Sequence, residues 1–579
     1  MSTKHFVTDV DKLVVDSLES VALLNPDLVY YKNDKVIVQK SHDSKKKVAV
    51  LSGGGAGHEP AHAGFVGEGM LTVAASGWIF ASPSVAQIGR AIDSVSDAKG
   101  KGVLLVLKNY TGDVLHFSLA AEKARGRGVP VEVVIVGDDV AVGRAKSGKV
   151  GRRGLAGTVL VHKVAGATAS KGSSIAQVTA AAREVAENLV TVGVSLNHVH
   201  IPGRKIEEEN LMAEDEAELG LGIHNEKGCQ RLKPIPTLPV LVSGMIDQLS
   251  DPKDSDRAYV DFTSAENIVL MVNNLGGLSP LELGAITTEV ISQLDGRSLR
   301  PARVFSGTYM TSLDGPGFSI TLLKAASSIL PLLDAPTEAV GFTPGCVLTS
   351  TSETAARVIL EDEIKTVHPV RANAPSILDP AAFAAAAAAA CKKAIAAEPE
   401  ITQFDTVVGD GDCGYTLKRA SEAVLASVTG TTSSSTVDAL TTLAETVENN
   451  MDGTSGAIFS IYLHALATAA TSVTKKLDTA GWGACAADAL ETLYAATPAR
   501  PGDRTLVDAL DPFVKALAAG KSLEEAARAA KEGAEGTKGM NASLGRAVYV
   551  DSAGYDRVPD PGAVGVAKLV EGLFEGVSK

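Results

Sequence analysis

Over its first 340 residues the chain alternates short apolar, β-branched runs with stretches whose apolar positions recur every three or four residues. The runs VAVLSG, LTVAASG, GVLLVLKN, VEVVIVGDD, LVTVGVSL, VLVSGM, NIVLMVNNLGG and FSITLLKA predict strands. Many of them end in Gly, Asn or Asp, the residues expected where a strand turns into a loop. Near-continuous apolar strands with helices between them predict α/β layers around largely buried sheets.

The pattern changes after residue 340. Residues 341–378 carry repeated prolines and small polar residues and read as a linker. From residue 379 to 579 strand signals nearly vanish. PAAFAAAAAAACKKAIAAE, VDALTTLAETVENNM, IFSIYLHALATAATSVTKKL, CAADALETLYAA, LVDALDPFVKALAAG, LEEAARAAKEGAEGTKGM and GVAKLVEGLFEGV all repeat at helical spacing. The expected architecture is an α/β domain over 1–340, a linker, and an all-α bundle of seven or eight helices over 379–579.

Composition narrows the function classes. With 579 residues the chain exceeds a single core, and 45% hydrophobic against 21% charged residues is a globular balance. A net charge of −14 argues against nucleic acid or anionic membrane as the main partner. No apolar run is suited to span a bilayer, and the N-terminus lacks the apolar core of a signal peptide. Five scattered cysteines without a CxxC pair read as reduced thiols of a cytoplasmic protein.

Four segments of the α/β half bear on the chemistry. LSGGGAGHEPAHAGFVG lacks the glycine spacing of a dinucleotide fingerprint, because His58 and Pro60 stand where glycines are needed. Its HEPAH matches HExxH in form, but His58 falls at the glycine-loop junction and no third zinc ligand is in view. The loop suits a small ligand against bare backbone, with His58 as a proton carrier. GRAKSGKV resembles a P-loop but ends in Val150 where a hydroxyl should meet Mg²⁺. KNYTGDVLHF follows a strong strand, placing Lys108 and Asp113 at its carboxyl end, where α/β proteins bind ligands. His224, in GLGIHNE, lies between glycine-containing turns, and a neutral imidazole there could attack a carbonyl.

The helical half holds FDTVVGDGDCGYTLKRA. Asp405, Asp410 and Asp412 are interleaved with glycines that allow a tight turn. Converging carboxylates ahead of a helix N-terminus read as a Mg-nucleotide site or as an acidic turn with Asp412 as helix cap. NNMDGTSGAIFS, RPGDRTLVDAL and DPGAVG also look like glycine-bearing helix starts.

GGGAGHEPAHAGFVG, KNYTGDV, GLGIHNE, NNLGG and GDGDCG, in this order, resemble the two-domain ATP-dependent dihydroxyacetone kinases over essentially the whole chain. The resemblance implies phosphorylation of dihydroxyacetone, and of glyceraldehyde, with the substrate carbonyl held covalently on His224. It implies His58 and Asp113 as the acid/base pair, and Gly55, Ala56, Gly57 and Lys108 as further substrate contacts. Asp405, Asp410 and Asp412 would hold Mg²⁺ (or Mn²⁺) against the phosphates of ATP. Cys413, Gly414, Tyr415, Thr416, Thr454, Ser455, Thr505, Leu506, Arg546, Asp560, Pro561 and Gly562 would contact the nucleotide, with Thr497 carried over by spacing. A homodimer is a further expectation. Some family members are implied to be FAD-cleaving cyclases, and some relatives of the kinase domain are regulators without activity. Tyr415 departs from the small residue common at its place, and His62, His198 and His200 receive no role.

Overall fold

The structure is a computed structural model that describes residues 4–204, 212–348, 380–430, 436–473, 477–544 and 556–578. The chain divides into two compact units, Met1–Leu360 and Glu361–Lys579. Most of the stretch 341–378, read as linker, lies outside the described residues.

Two sheets build the first unit. One has six strands: β1 (Leu28–Tyr31), β2 (Val36–Gln39), β3 (Ala49–Ala56), β4 (Val73–Ile79), β5 (Val103–Lys108) and β6 (Val131–Val136), in the order β1-β2-β4-β3-β5-β6. From β4 to β6 the pairings are parallel, and the β1–β2 hairpin adds an antiparallel edge. Strand β3 has β4 on one side and β5 on the other. The carboxyl ends of β3 and β5 therefore flank a topological switch point, where open α/β sheets form a ligand crevice. Strands β3 and β5 are buried along their full length, which explains their near-continuous apolar sequences.

The second sheet holds β7 (Leu189–Ser195), β8 (Ala217–Leu219), β9 (Gln230–Leu232), β10 (Asn267–Asn274), β11 (Pro301–Gly307), β12 (Gly317–Ala325) and β13 (Cys346–Val347). Its order is β13-β11-β10-β12-β7-β8-β9, and only the β10–β11 pair is parallel. β13 lies inside the stretch read as linker, yet it pairs with β11. VLVSGM, expected as a strand, belongs to the helix Leu238–Ser250. Pro239 starts that helix, and its buried residues Val242, Met245, Ile246 and Leu249 recur at the helical period. Six short apolar letters carried too little length to separate the two periods.

The second unit is all helical, with nine helices among the described residues. The Ala-rich segment breaks into Pro380–Ala396 and Glu398–Val408, since Pro399 cannot donate to the preceding turn but suits a helix start. The three glycine-bearing stretches do open helices: Gly453–Thr471 after Asp452, Val507–Ala518 after Leu506, and Pro561–Val577 after Asp560. Alanine dominates the packed faces, as in Ala526, Ala527, Ala530 and Ala534 of Leu523–Gly536, which lets helix axes approach closely. No helix among the described residues is long and apolar enough to cross a membrane.

Candidate active site

In the first unit, the carboxyl ends of β3 and β5 and the β8–β9 loop bring His58, Lys108, Asp113 and His224 together. β3 ends in the glycine loop. Gly57 has φ +99°, and a Cβ there would lie 2.8 Å from the Phe80 ring, so this turn demands glycine. The turn sends His58 inward, completely buried. Its Nδ1–H donates to the Thr311 carbonyl at 2.8 Å, and its ring stacks on Phe80 with centroids 5.3 Å apart.

His224 sits on the β8–β9 loop beside Asn225, whose φ of +65° turns the chain. The loop is clamped from three sides. Asn225 exchanges hydrogen bonds with the Val199 backbone. Ser312 donates to the Ile223 carbonyl at 2.7 Å. Arg153 donates to the Gly220 carbonyl at 2.7 Å and forms a buried ion pair with Asp139.

Glu226 orients His224 with both carboxylate oxygens: one accepts His224 Nδ1–H at 2.8 Å, the other the His224 backbone N–H at 2.9 Å. Burial disfavours the Glu226 carboxylate, but the His224 hydrogen bonds and charge, helped by Arg153, lower its pKa to about 2. Sequence reasoning missed Glu226. The only signal was an acidic residue two positions after the histidine.

His58 Nε2 and His224 Nε2 face each other at 3.0 Å. Both Nδ1 atoms donate elsewhere, so two lone pairs would meet here unless the pair shares one proton. Burial first, then the charges of Lys108 and His224, holds the His58 pKa well below its ordinary value. Tyr110 packs edge-on to His224 with centroids 4.5 Å apart.

Lys108, the last residue of β5, is fully buried, and Asp113 in the first turn of Thr111–Arg125 is 4% exposed. Lys108 Nζ, Asp113 Oδ1 and Tyr110 OH have no hydrogen-bond partner among the described residues. Burial lowers the Lys108 pKa to about 8 against the opposing charges of Asp113, Glu226 and Glu59. The backbone of Gly55, Ala56 and Gly57 continues β3 into this site, and Gly57 N–H bonds the Glu59 carboxylate. HEPAH is a turn, not a helix: His58 reaches Thr311 and His224, while His62 reaches Ser52. His198 pairs with Glu218 at 3.3 Å and His200 with His5 at 2.9 Å.

In the second unit, one carboxylate oxygen from each of Asp405, Asp410 and Asp412 lies within 4.8 Å of the others. Asp405 stands on the last turn of Glu398–Val408 and is buried; its Oδ2 accepts Cys413 N–H at 3.0 Å. Gly411, at φ +81°, reverses the chain so that Asp412 precedes the helix Cys413–Gly430. The turn opens a helix, and its carboxylates cluster.

Burial, then the charges of Asp405, Asp560 and Asp412, pushes the Cys413 thiol up to about 12, with the Ser455 hydroxyl opposing. Asp405, Asp412, Ser455 and Asp560 therefore gather around Cys413. Gly562 abuts Leu506, whose Cβ would lie 3.3 Å from an added side chain. Thr505 N–H bonds Asp508 at 2.8 Å, and Asp560 caps its helix through Ala563 N–H at 2.8 Å. Pro561 fills the first position of that helix. Gly414 and Thr416 lie in the first turn of Cys413–Gly430, Tyr415 is 62% exposed, and Thr454 opens Gly453–Thr471. Thr497 caps the carboxyl end of Thr479–Ala496. Arg546 lies outside the described residues.

Comparison with known proteins gives the same two-part division. The Dak1 domain family matches residues 19–341, and the DAK2 domain family matches residues 407–575. The chain is 45% identical over 622 aligned residues to the dihydroxyacetone kinase of Pichia angusta, covering 100% of this chain and 99% of that protein. It is 38% identical over 585 residues to the triokinase/FMN cyclase of Homo sapiens, covering 99% of each. The solved dihydroxyacetone kinase from C. freundii in complex with AMP-PNP and Mg²⁺ matches with TM-score 0.63 and 30% identity, covering 99% of this chain and 100% of that one. Full-length identity and an α/β region followed by an all-helical region lead to one assignment: the chain belongs to the dihydroxyacetone kinase family.

Proposed function

We propose that this protein transfers the γ-phosphoryl group of ATP to dihydroxyacetone, with His224 as the covalent anchor of the carbonyl. The observation that carries this reading is His224 itself. Glu226 holds its Nδ1, so Nε2 is the ring nitrogen aimed at substrate. As Nε2 bonds the carbonyl carbon, the proton shared with His58 passes to the carbonyl oxygen. The alkylated ring is left cationic and balanced by Glu226. His58 Nε2, now bare, and Asp113 are the acceptors for the proton of the attacking hydroxyl. Glycerol has no carbonyl and is not retained. Glyceraldehyde has the same carbonyl and hydroxyl groups and is accepted.

Asp405, Asp410 and Asp412 fit a hard divalent cation, which would offset the repulsion of three carboxylates this close. They would hold Mg²⁺, or Mn²⁺ in its place. When bound, the ion offsets charge on the phosphates being transferred. The neighbouring helix starts supply N–H donors for the phosphates: 413–416, Thr454 with Ser455, Thr505 with Leu506, and 560–562. Thr497 and Arg546 complete the nucleotide contacts in this reading. We place the protein in the cytoplasm as a homodimer; its five cysteines are all free thiols.

Kinase assays of His224→Ala and Asp410→Ala with dihydroxyacetone and Mg·ATP test the reading. Both should lose at least ~10³-fold in kcat/KM, and full activity in either overturns the role given to that residue. Similarity to triokinase/FMN cyclases supports a second activity, cleavage of FAD by the helical unit with a divalent ion. That activity should survive His224→Ala, which separates it from the kinase.

A further inference from the structure

His62 plays no part in the chemistry above, yet its surroundings are those of a ligand contact. The Ser52 hydroxyl donates to the Val106 carbonyl at 2.6 Å, so its oxygen receives His62 Nδ1–H at 3.3 Å. With Nδ1 protonated, Nε2 is left as a bare acceptor. Burial, then the charges of His162 and Lys108, opposes a second proton on the ring. His62 is only 4% exposed, and its Nε2 has no hydrogen-bond partner among the described residues. The ring is held from behind by His162, edge-on with centroids 5.2 Å apart.

Gly54 shows where that acceptor points. From the position a Gly54 Cβ would take, His62 Nε2 lies at 3.7 Å, Asp113 Oδ2 at 3.5 Å and Lys108 Cε at 3.7 Å. The missing side chain therefore leaves one small space faced by three buried polar groups. Two are acceptors, His62 and Asp113, and one is a donor, Lys108. Lys108 Nζ and Asp113 Oδ1 also lack protein partners. A group that both accepts and donates answers Lys108 and one of the two acceptors, and since Asp113 is the acceptor proposed for the attacking hydroxyl, His62 is the one left. A hydroxyl takes a hydrogen bond from Lys108 and gives its own to an acceptor. A carbonyl, an ether or a methyl group has no proton to give.

We propose that His62 is a specificity-determining contact, whose Nε2 accepts the hydrogen bond of a substrate hydroxyl held in front of Gly54 by a hydrogen bond from Lys108. The inference rests on the reading that the substrate carbonyl is bound at His224 in this same site. The site then checks two features of a triose: a carbonyl at His224 and a hydroxyl at Gly54. His62→Phe keeps the ring volume against His162 but removes the acceptor. His62→Gln keeps an acceptor but loses the ring.

The test compares kcat/KM for dihydroxyacetone in the two full-length variants, with thermal unfolding recorded for each. Acetone, which has the carbonyl and no hydroxyl, serves as competitive inhibitor. The expected result is a loss of about tenfold in His62→Phe, recovery to within about threefold of the parent in His62→Gln, and unchanged inhibition by acetone. If His62→Phe does not fold, His62→Leu takes its place. A Phe variant as active as the Gln variant, parent-like activity in both, or acetone inhibition that weakens in parallel overturns the proposal. Full activity of His224→Ala would instead sink the reading on which it rests, whatever the order of the His62 variants.

Discussion

Glu226 has a larger part in this site than its place in the sequence suggests. It fixes the His224 ring through Nδ1 and the loop through the backbone N–H. Glu226→Gln keeps the shape and removes the charge. Its kcat/KM for dihydroxyacetone should fall about 10- to 100-fold, with a smaller fraction of ¹³C-carbonyl-labelled triose seen by NMR as the histidine adduct. An undiminished adduct would show that the carboxylate is dispensable. Lys108 sets a pH limit. Burial brings its pKa down to about 8 from 10.5, so the ammonium donor is present below pH 8 and lost above it. The kcat/KM for triose should fall as pH rises through about 8, and Lys108→Met should remove that limb. Stability moves the other way. The unfolded chain binds the proton more tightly, so this group favours the fold increasingly between about 8 and 10.5.

At the scale of elements, the turn between Glu398–Val408 and Cys413–Gly430 carries Asp410 and Asp412 and brings them into a cluster with Asp405 of the preceding helix. It does so through Gly411, whose positive φ costs an L side chain about 1–3 kcal/mol. Gly411→Ala should therefore weaken Mg·AMP-PNP binding about tenfold or more by calorimetry. The triose affinity should stay unchanged, because the substituted turn belongs to the other unit. Much of this element was legible in sequence, since alternating Asp and Gly is a local signal. The β8–β9 loop was less legible. His224 stood out, but the clamps from Arg153, Val199 and Ser312 are distant in the chain. The helix Leu238–Ser250 was misread because VLVSGM shows β-branched residues over a window too short to reveal its period.

For the whole molecule, the chain forms two units with separate hydrophobic cores. The groups proposed to hold triose all lie in the first unit, and those proposed to hold the nucleotide in the second. Binding should therefore be separable even though turnover needs both. His224→Ala should lose the triose adduct yet bind Mg·AMP-PNP with parent affinity, and Asp410→Ala should do the reverse. Loss of both bindings in either variant would contradict this division.

The amino-acid sequence by itself determined the α/β-then-helical order, the largely buried strands, the helix starts and the residue types of the candidate sites. These follow from periodicity and from glycine, proline and aspartate chemistry, all of which act within a few residues. Only the tertiary structure decided which groups meet. His58 faces His224 across 166 positions, and Ser52 fixes the tautomer of His62 through the Val106 carbonyl of a neighbouring strand. Hydrogen-bond partners and burial set which nitrogen carries a proton, and neither is encoded in the spacing of residues along the chain.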